Sequence, residues 1–201
     1  MAHAPAHPGR NPRRAACAGA LAAALVLLAP PEAAEAFELI AVETGRDGPA
    51  YTLRIEALFD APPARLLEVL TDYNRIHELH PRMKVSRSLG PVGANVEEVY
   101  SHFEGCVLLF CRDIQRVEHI RAHANTLVAV DVPGRGSFSE GRTEWRFSAE
   151  GAGARLHYET RFVPAFRIAP LVGPGVLVRS VERMTLETMA EADRRAGQGN
   201  D

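Results

Sequence analysis

The second half of the sequence is a series of segments with strand periodicity that ends in one long amphipathic helix. In residues 142–147 the charged side chains fall on one side, whereas Thr143, Trp145 and Phe147 fall on the other, a period of two residues. Glycine-rich turns separate this segment from similar ones before and after it. Residues 170–195 then carry an apolar stripe with the period of an α-helix. This pattern predicts an α+β fold in which the helix packs on an antiparallel sheet.

The first half of the chain adds two strands and two short helices. Segments 37–46 and 50–59 have strand patterns and are divided by an Arg-Asp-Gly-Pro turn. Helices are predicted over 64–73, after a Pro-Pro pair, and over 74–80. We therefore expect a curved antiparallel sheet of about seven strands wrapped around the long C-terminal helix, with the two short helices after the first strands. Such a sheet leaves concave space, so we also expect a cavity between sheet and helix.

The N-terminal segment has the layout of a secretory signal peptide. Arg13 and Arg14 precede an apolar run over 15–29, which Ala34-Glu35-Ala36 follows as an A-x-A cleavage site. We expect residues 1–36 to be removed and the mature protein to be periplasmic or secreted. The alternative is an N-terminal anchor that is not cleaved.

The remaining length corresponds to one domain, predicted over 37–195, with a disordered tail over 196–201. The net charge of the whole chain is −2 at pH 7, which provides no basic face of the kind that binds nucleic acid. We expect a monomer without cofactor or metal.

Cys106 and Cys111 are the cysteines left after the predicted cleavage, and an oxidising compartment favours a disulfide between them. Five residues of straight strand would separate their Cα atoms by roughly 16 Å, whereas a disulfide needs about 5.5 Å. The pair can therefore bond only if residues 104–113 (EGCVLLFCRD) turn between two strands. Two buried free thiols on one strand are the alternative.

Two stretches carry a family resemblance. The first stretch leads from a strand into a proline-started helix and then a bend, over residues 59–65 (FDAPPAR) and 69–73 (VLTDY). The second is RFVP at 161–164, which ends a last strand before Pro170. Both are similar to the START and polyketide-cyclase superfamily, the helix-grip fold also called SRPBCC, over nearly all of residues 50–192. The bacterial cyclase/dehydrase, lipid-transport and coenzyme Q-binding members resemble the chain most. The resemblance implies the fold and its cavity, but a fold does not identify a ligand.

Aromatic and apolar side chains on the predicted inner faces are the candidate ligand contacts. Tyrosine and tryptophan combine an apolar ring with a polar group that a buried site usually uses. Ordinary core packing is the alternative for these residues. The candidate ligand-binding residues are Tyr73, Phe103, Trp145, Tyr158, Phe162, Val181 and Met184.

His77 and His80 raise the question of a metal or acid–base site. The metalloprotease pattern needs histidines four residues apart, whereas the spacing here is three and no third ligand is evident. We interpret them as partly exposed residues of a lid at the cavity mouth. The sequence contains no recognisable nucleophile motif, P-loop or dinucleotide fingerprint, so no catalytic residue is assigned.

Three functions are compatible with these patterns. The first is an exported binding or transport protein for a hydrophobic small molecule such as a lipid, quinone or isoprenoid, with transient membrane-surface contact. The second is a cyclase or dehydratase that uses the same cavity, for which His102, His157 and Tyr158 are the first acid–base candidates. The third is an interaction module with a filled cavity. An inward histidine paired with a carboxylate would favour the enzyme, and an apolar lining would favour the binding protein.

Overall fold

The computed structural model of the chain describes residues 37–107, 110–168 and 173–198. The predicted signal peptide and residues 199–201 of the predicted tail lie outside these ranges. The signal peptide and the disorder of those three residues therefore remain predictions. None of the described helices combines the length and apolarity that crossing a bilayer requires.

Eight antiparallel strands form one sheet in the order β1-β2-β8-β7-β6-β5-β4-β3. The α+β layout is confirmed, with one strand more than the expected seven or so. Strand β2 pairs with β8, so residues from both ends of the domain meet in the sheet. The strands are β1 (Phe37–Asp47), β2 (Ala50–Phe59), β3 (Met83–Gly93), β4 (Val96–Val107), β5 (Phe110–His123), β6 (Thr126–Asp131), β7 (Phe138–Glu150) and β8 (Gly153–Pro164).

Two α-helices and one short 3₁₀ helix complete the domain. Helix α1 spans Pro63–Thr71, the 3₁₀ helix spans Ile76–Leu79, and α2 spans Pro174–Gln198. The predicted disordered tail is wrong at its start, because α2 continues through residues 196–198. Ala196 is fully buried and lies four residues after the buried Ala192, so it extends the apolar stripe of the helix by one more turn.

The main core lies between α2, α1 and the inner face of β2 and β8. Alternate residues of β2, including Leu53, Ile55 and Ala57, are buried together with Met189 and Ala192 of α2. This packing follows from the period-two pattern of the strand and the helical stripe of α2, because both place apolar side chains on one face.

Asp193 of α2 joins the end of the chain to its beginning. Its carboxylate accepts hydrogen bonds from the backbone N–H groups of Asp60 (3.2 Å) and Ala61 (2.9 Å), just before α1. The side chain is buried, and burial raises its pKa although the two hydrogen bonds oppose the shift. The FDAPP segment that carried the family resemblance is therefore fixed by a residue more than 130 positions later.

Candidate ligand-binding cavity

Sheet and α2 enclose a space that we call the inner cavity, with a volume of about 250 Å³. Its wall is built by inward-facing residues of β3 to β8, by the 3₁₀ helix and by one face of α2. Most side chains on the wall are apolar, as the alternation of strands β7 and β8 predicts. The apolar wall residues include Leu79, Met83, Val99, Phe103, Ile120, Leu127, Trp145, Phe162, Val181 and Met184.

A larger space, which we call the outer cleft, adjoins the inner cavity and has a volume of about 760 Å³. It lies between the hairpin end of β4–β5, residues 164–168 and the N-terminal half of α2. The two spaces adjoin each other, because five side chains belong to both walls: Phe103, Phe138, Phe162, Val181 and Met184. The inner cavity is slightly below the range of roughly 300–1,000 Å³ usual for small-molecule sites, and the outer cleft lies within it.

Six of the seven predicted ligand contacts lie on these walls. Phe103, Phe162, Val181 and Met184 are at the junction of the two spaces. Trp145 and Tyr158 face the inner cavity as a cross-strand pair whose ring centroids are 5.5 Å apart. The placement agrees with a ligand role, although the contact itself remains a prediction.

Tyr73 is the seventh, and it is not among the described wall residues of either space. It follows the end of α1 and is half-buried, and burial together with the charge of Glu97 raises its pKa. Tyr73 thus lies within reach of the charge of Glu97 on β4, and its role as a ligand contact stays a prediction.

A buried ion cluster on the inner wall was not predicted. Arg116 donates two hydrogen bonds to Asp131, from Nε to Oδ1 at 3.0 Å and from Nη2 to Oδ2 at 2.7 Å. Its Nη2 also lies 2.9 Å from Oε1 of Glu118. Arg116 and Glu118 line the cavity, whereas Asp131 lies behind Arg116 with 3% of its side chain exposed.

Gly141 provides the space for this cluster. A Cβ atom at that position would lie 1.7 Å from Oδ2 of Asp131 and 3.2 Å from Nη2 of Arg116. Phe138 completes the enclosure, because the Arg116 guanidinium lies 5.0 Å from the centroid of its ring. Because Gly141 has no side chain, β7 leaves room for the pair of Arg116 and Asp131.

The two carboxylates of the cluster share one guanidinium. Burial raises the pKa of Glu118; the positive charge of Arg116 opposes this, and the negative charge of Asp131 adds to it. For Arg116, burial alone would lower the pKa, but the charges of Glu118 and Asp131 raise it overall. The raised pKa of Glu118 favours its protonated form.

The signal for this cluster is present in the sequence of β5. Ile114, Arg116, Glu118 and Ile120 alternate on one face, so two charges lie between two isoleucines on the side that must be buried. Charges almost never occupy such positions unless they are paired. The partner, Asp131, ends the neighbouring strand β6 and could not be identified without the strand pairing.

His80 is buried rather than partly exposed, which corrects the interpretation of this histidine but not that of His77. Its Nδ1 accepts a hydrogen bond from the backbone N–H of Arg82 at 3.0 Å, so in the neutral ring Nε2 carries the proton. Nε2 lies 2.8 Å from Oε2 of Glu187 on α2, and both residues line the outer cleft. His80 directly follows the 3₁₀ helix, and its ring is buried where it contacts Glu187 of α2.

His77 is half-buried and bonds separately to Ser86, so the two histidines do not converge on one point. In the described part of the chain, the single group of three potential metal ligands is Glu104, Cys106 and Cys111. Its two cysteines are joined to each other. A histidine metal site therefore has no support from the geometry.

Of the three acid–base candidates, only Tyr158 faces the cavity. His102 pairs with Asp113 at 3.0 Å outside both walls, and His157 is exposed. The buried histidine that pairs with a carboxylate is His80, with Glu187, and this pair lines the outer cleft but is not among the described residues of the inner cavity wall. Burial is the main reason that the pKa of Tyr158 is raised.

Cys106 and Cys111 form a disulfide and lie directly opposite each other on β4 and β5, with Cα atoms 4.0 Å apart. The two cysteines thus belong to different, paired strands and not to one straight strand, which is what the distance argument requires for a disulfide. The bridge closes the hairpin that forms one wall of the outer cleft.

A long helix gripped by a curved antiparallel sheet, with an apolar cavity between them, defines the helix-grip class of cavity proteins. The sequence matches the family described as polyketide cyclase / dehydrase and lipid transport over residues 51–200, and the chain belongs to that family. No relative among the curated proteins matches the sequence.

Solved structures share this fold at low sequence identity. The Zhui aromatase/cyclase from Streptomyces sp. R1128 is 16% identical with a TM-score of 0.60, covering 74% of this chain and 94% of that protein. A STAR-related lipid transfer protein from Xanthomonas axonopodis is 16% identical with a TM-score of 0.56, covering 79% and 99%. A START superfamily protein from Mycobacterium smegmatis is 16% identical with a TM-score of 0.55, covering 74% and 97%.

Proposed function

We propose that the mature chain is an exported binding or transport protein that holds a hydrophobic small molecule, such as a lipid, quinone or isoprenoid-like compound, in the inner cavity. The observation that carries the proposal is the apolar wall between sheet and α2, which remains open rather than filled by side chains. Burying apolar surface there contributes about 25 cal/mol per Å² before the ordering terms are subtracted. The N-terminal sequence supports export, and similarity to a lipid transfer protein is consistent with this use of the fold.

Native mass spectrometry tests the proposal directly. The full chain is expressed with its N-terminal segment, recovered from the periplasm, and weighed under native and denaturing conditions. We expect a mass excess that disappears on denaturation and identifies the bound compound. The start of the mature chain, predicted at Phe37, is read from the same denatured mass.

Two substitutions at neighbouring positions of β6 give a matched control. Ala129 faces the inner cavity, whereas Val130 is exposed on the opposite face. Ala129→Phe should fill the cavity and remove the bound compound, and Val130→Phe should leave it in place. A compound that survives Ala129→Phe, or that never appears in the wild type, would contradict the proposal.

An enzyme of the cyclase or dehydratase type is the second candidate, and Glu118 is the observation that favours it. Its carboxyl group is on the cavity wall with a raised pKa, so it can hold a proton for donation in a water-poor space. The test is to incubate the protein with the compound that it retains and to follow loss of one water by mass. Conversion by the wild type, with binding but no conversion in Glu118→Gln, would replace the first proposal with this one.

A further inference from the structure

Several arginines line the outer cleft without an acidic partner among the described residues. The described residues contain 19 arginines, and 11 of them have a carboxylate oxygen within 4.0 Å. Of the remaining eight, five belong to the wall of this one cleft. They are Arg82, Arg112, Arg167, Arg179 and Arg183.

Separate parts of the chain bring these guanidinium groups together. Arg82 precedes β3, Arg112 lies on β5, Arg167 follows β8, and Arg179 and Arg183 are one turn apart on α2. Arg112 is held over the ring of Phe166, 4.4 Å from its centroid. The cluster is therefore a product of the fold and not of one basic stretch of sequence.

The acidic residues of the cleft do not neutralise the cluster. Glu104 has Lys84 at 3.8 Å, and Glu187 has His80 at 2.8 Å. Within the described wall these are the cleft's carboxylate side chains, so the five guanidinium groups leave it positively charged. A guanidinium fork matches a carboxylate or phosphate group with two parallel hydrogen bonds.

The positive cleft lies next to the apolar inner cavity, and Phe103, Phe162 and Met184 line both spaces. An apolar molecule without charge would use the inner cavity and leave the arginines to water. A molecule with an apolar body and an anionic end would use both spaces at once. We propose that the ligand of this protein is an anionic amphiphile whose carboxylate or phosphate group binds the arginines of the outer cleft. The inference rests on the proposed binding function and specifies its ligand class.

Three probes with a similar alkyl chain and different head groups separate the two contributions to binding. They are dodecanoate and dodecyl phosphate, each below its critical micelle concentration, and dodecanol below its solubility limit. Binding is followed by the fluorescence of Trp145, the only tryptophan of the chain, which faces the inner cavity. We expect the wild type to bind at least one anionic probe roughly tenfold more tightly than dodecanol, with a difference that shrinks as salt is added.

The chain provides a matched control for the charge change. The cleft variant is Arg112→Gln/Arg179→Gln/Arg183→Gln, and the control is Arg46→Gln/Arg87→Gln/Arg121→Gln, three unpaired arginines outside the cleft. We expect the cleft variant to bind the anionic probe roughly tenfold more weakly and dodecanol within about twofold of wild type. The control variant should bind all probes like the wild type.

Each outcome decides the question. Equal binding of all three probes, or an equal loss in both variants, would overturn the anionic ligand while leaving the hydrophobic one. Inorganic phosphate that competes as well as dodecyl phosphate would show a free-anion site and overturn the amphiphile. No binding of any probe by a folded wild type would overturn the proposed function as well. Thermal unfolding of both variants, followed by circular dichroism, confirms that the cleft variant is folded.

Discussion

Arginines on the wall of the inner cavity and arginines around the outer cleft differ in whether a carboxylate of the protein pairs with them. On the inner wall, Arg116 has 17% of its side chain exposed and is held by Asp131 and Glu118. Around the outer cleft, arginines such as Arg179 and Arg183 are exposed and have no carboxylate within reach in the described residues. Arginine is thus paired with carboxylates of the protein in one region and left to solvent in the other.

Desolvation explains the difference. Burying a charge without a partner is strongly unfavourable. Arg116 can therefore be buried in the sheet only because Asp131 is paired with it. An exposed guanidinium keeps its water and needs no partner for the protein to fold. Charges that folding does not require are available for a ligand, and the two regions can therefore be tested separately by stability and by binding.

The largest effect is expected from Asp131→Ala. The substitution leaves Arg116 buried with only Glu118 beside it, and it should lower the free energy of unfolding by about 3–5 kcal/mol. Urea denaturation measures the loss. Asp113→Ala, at the exposed pair with Lys84, is the control and should have a much smaller effect. Equal losses at the two positions would remove the distinction between buried and exposed charges.

Gly141→Ala should also be strongly destabilising, by about 3 kcal/mol, because the added methyl group must displace the Asp131 carboxylate. Gly197→Ala is the matched control, since a Cβ atom there meets nothing within 4 Å on α2. It should be neutral or slightly stabilising because alanine favours helix. A wild-type melting temperature for Gly141→Ala would show that the pair can move at little cost.

Reduction of the disulfide should have an intermediate effect in the outer region. Cys106 and Cys111 close a short loop, for which chain entropy predicts about 2 kcal/mol. Unfolding in dithiothreitol is compared with unfolding without it, and the Cys106→Ser/Cys111→Ser variant should match the reduced protein and ignore the reductant. A difference between the reduced protein and this variant would point to an effect of the reductant elsewhere.

The smallest effect on stability is expected from the cleft itself. Arg179→Gln/Arg183→Gln should change the free energy of unfolding by no more than about 0.5 kcal/mol, because neither side chain is paired in the described structure. Urea denaturation of this variant beside Asp131→Ala gives the comparison in one experiment. A loss above about 2 kcal/mol would show that these arginines are part of the fold.

The sequence was sufficient for most of the fold because period-two and helical patterns are local. Segment 50–59 was predicted with the bounds that β2 has, and the inward side of β7, with Trp145 and Phe147, was predicted from alternation alone. The ligand role of Tyr73, which follows α1, stays a prediction. Local pattern failed at the end of α2, because the helix continues to Gln198.

The chemistry of the cavity was beyond the sequence because it depends on which strands pair. Arg116 meets Asp131 only because β5 is beside β6, and Gly141 matters only because β7 is next. The arginines of the cleft come from distant segments in the same way. Their lack of acidic partners is a property of the three-dimensional arrangement, and a count of charges along the chain does not reveal it.

The bond between Asp193 and the backbone before α1 has a consequence for how the protein is made. Synthesis proceeds from the N-terminus, yet the hydrogen bonds at the start of α1 require Asp193, which lies near the end of α2. Contacts so distant in sequence also slow folding. The nascent chain therefore cannot form these hydrogen bonds until Asp193 has left the ribosome, and the start of α1 lacks them while the strands are being made.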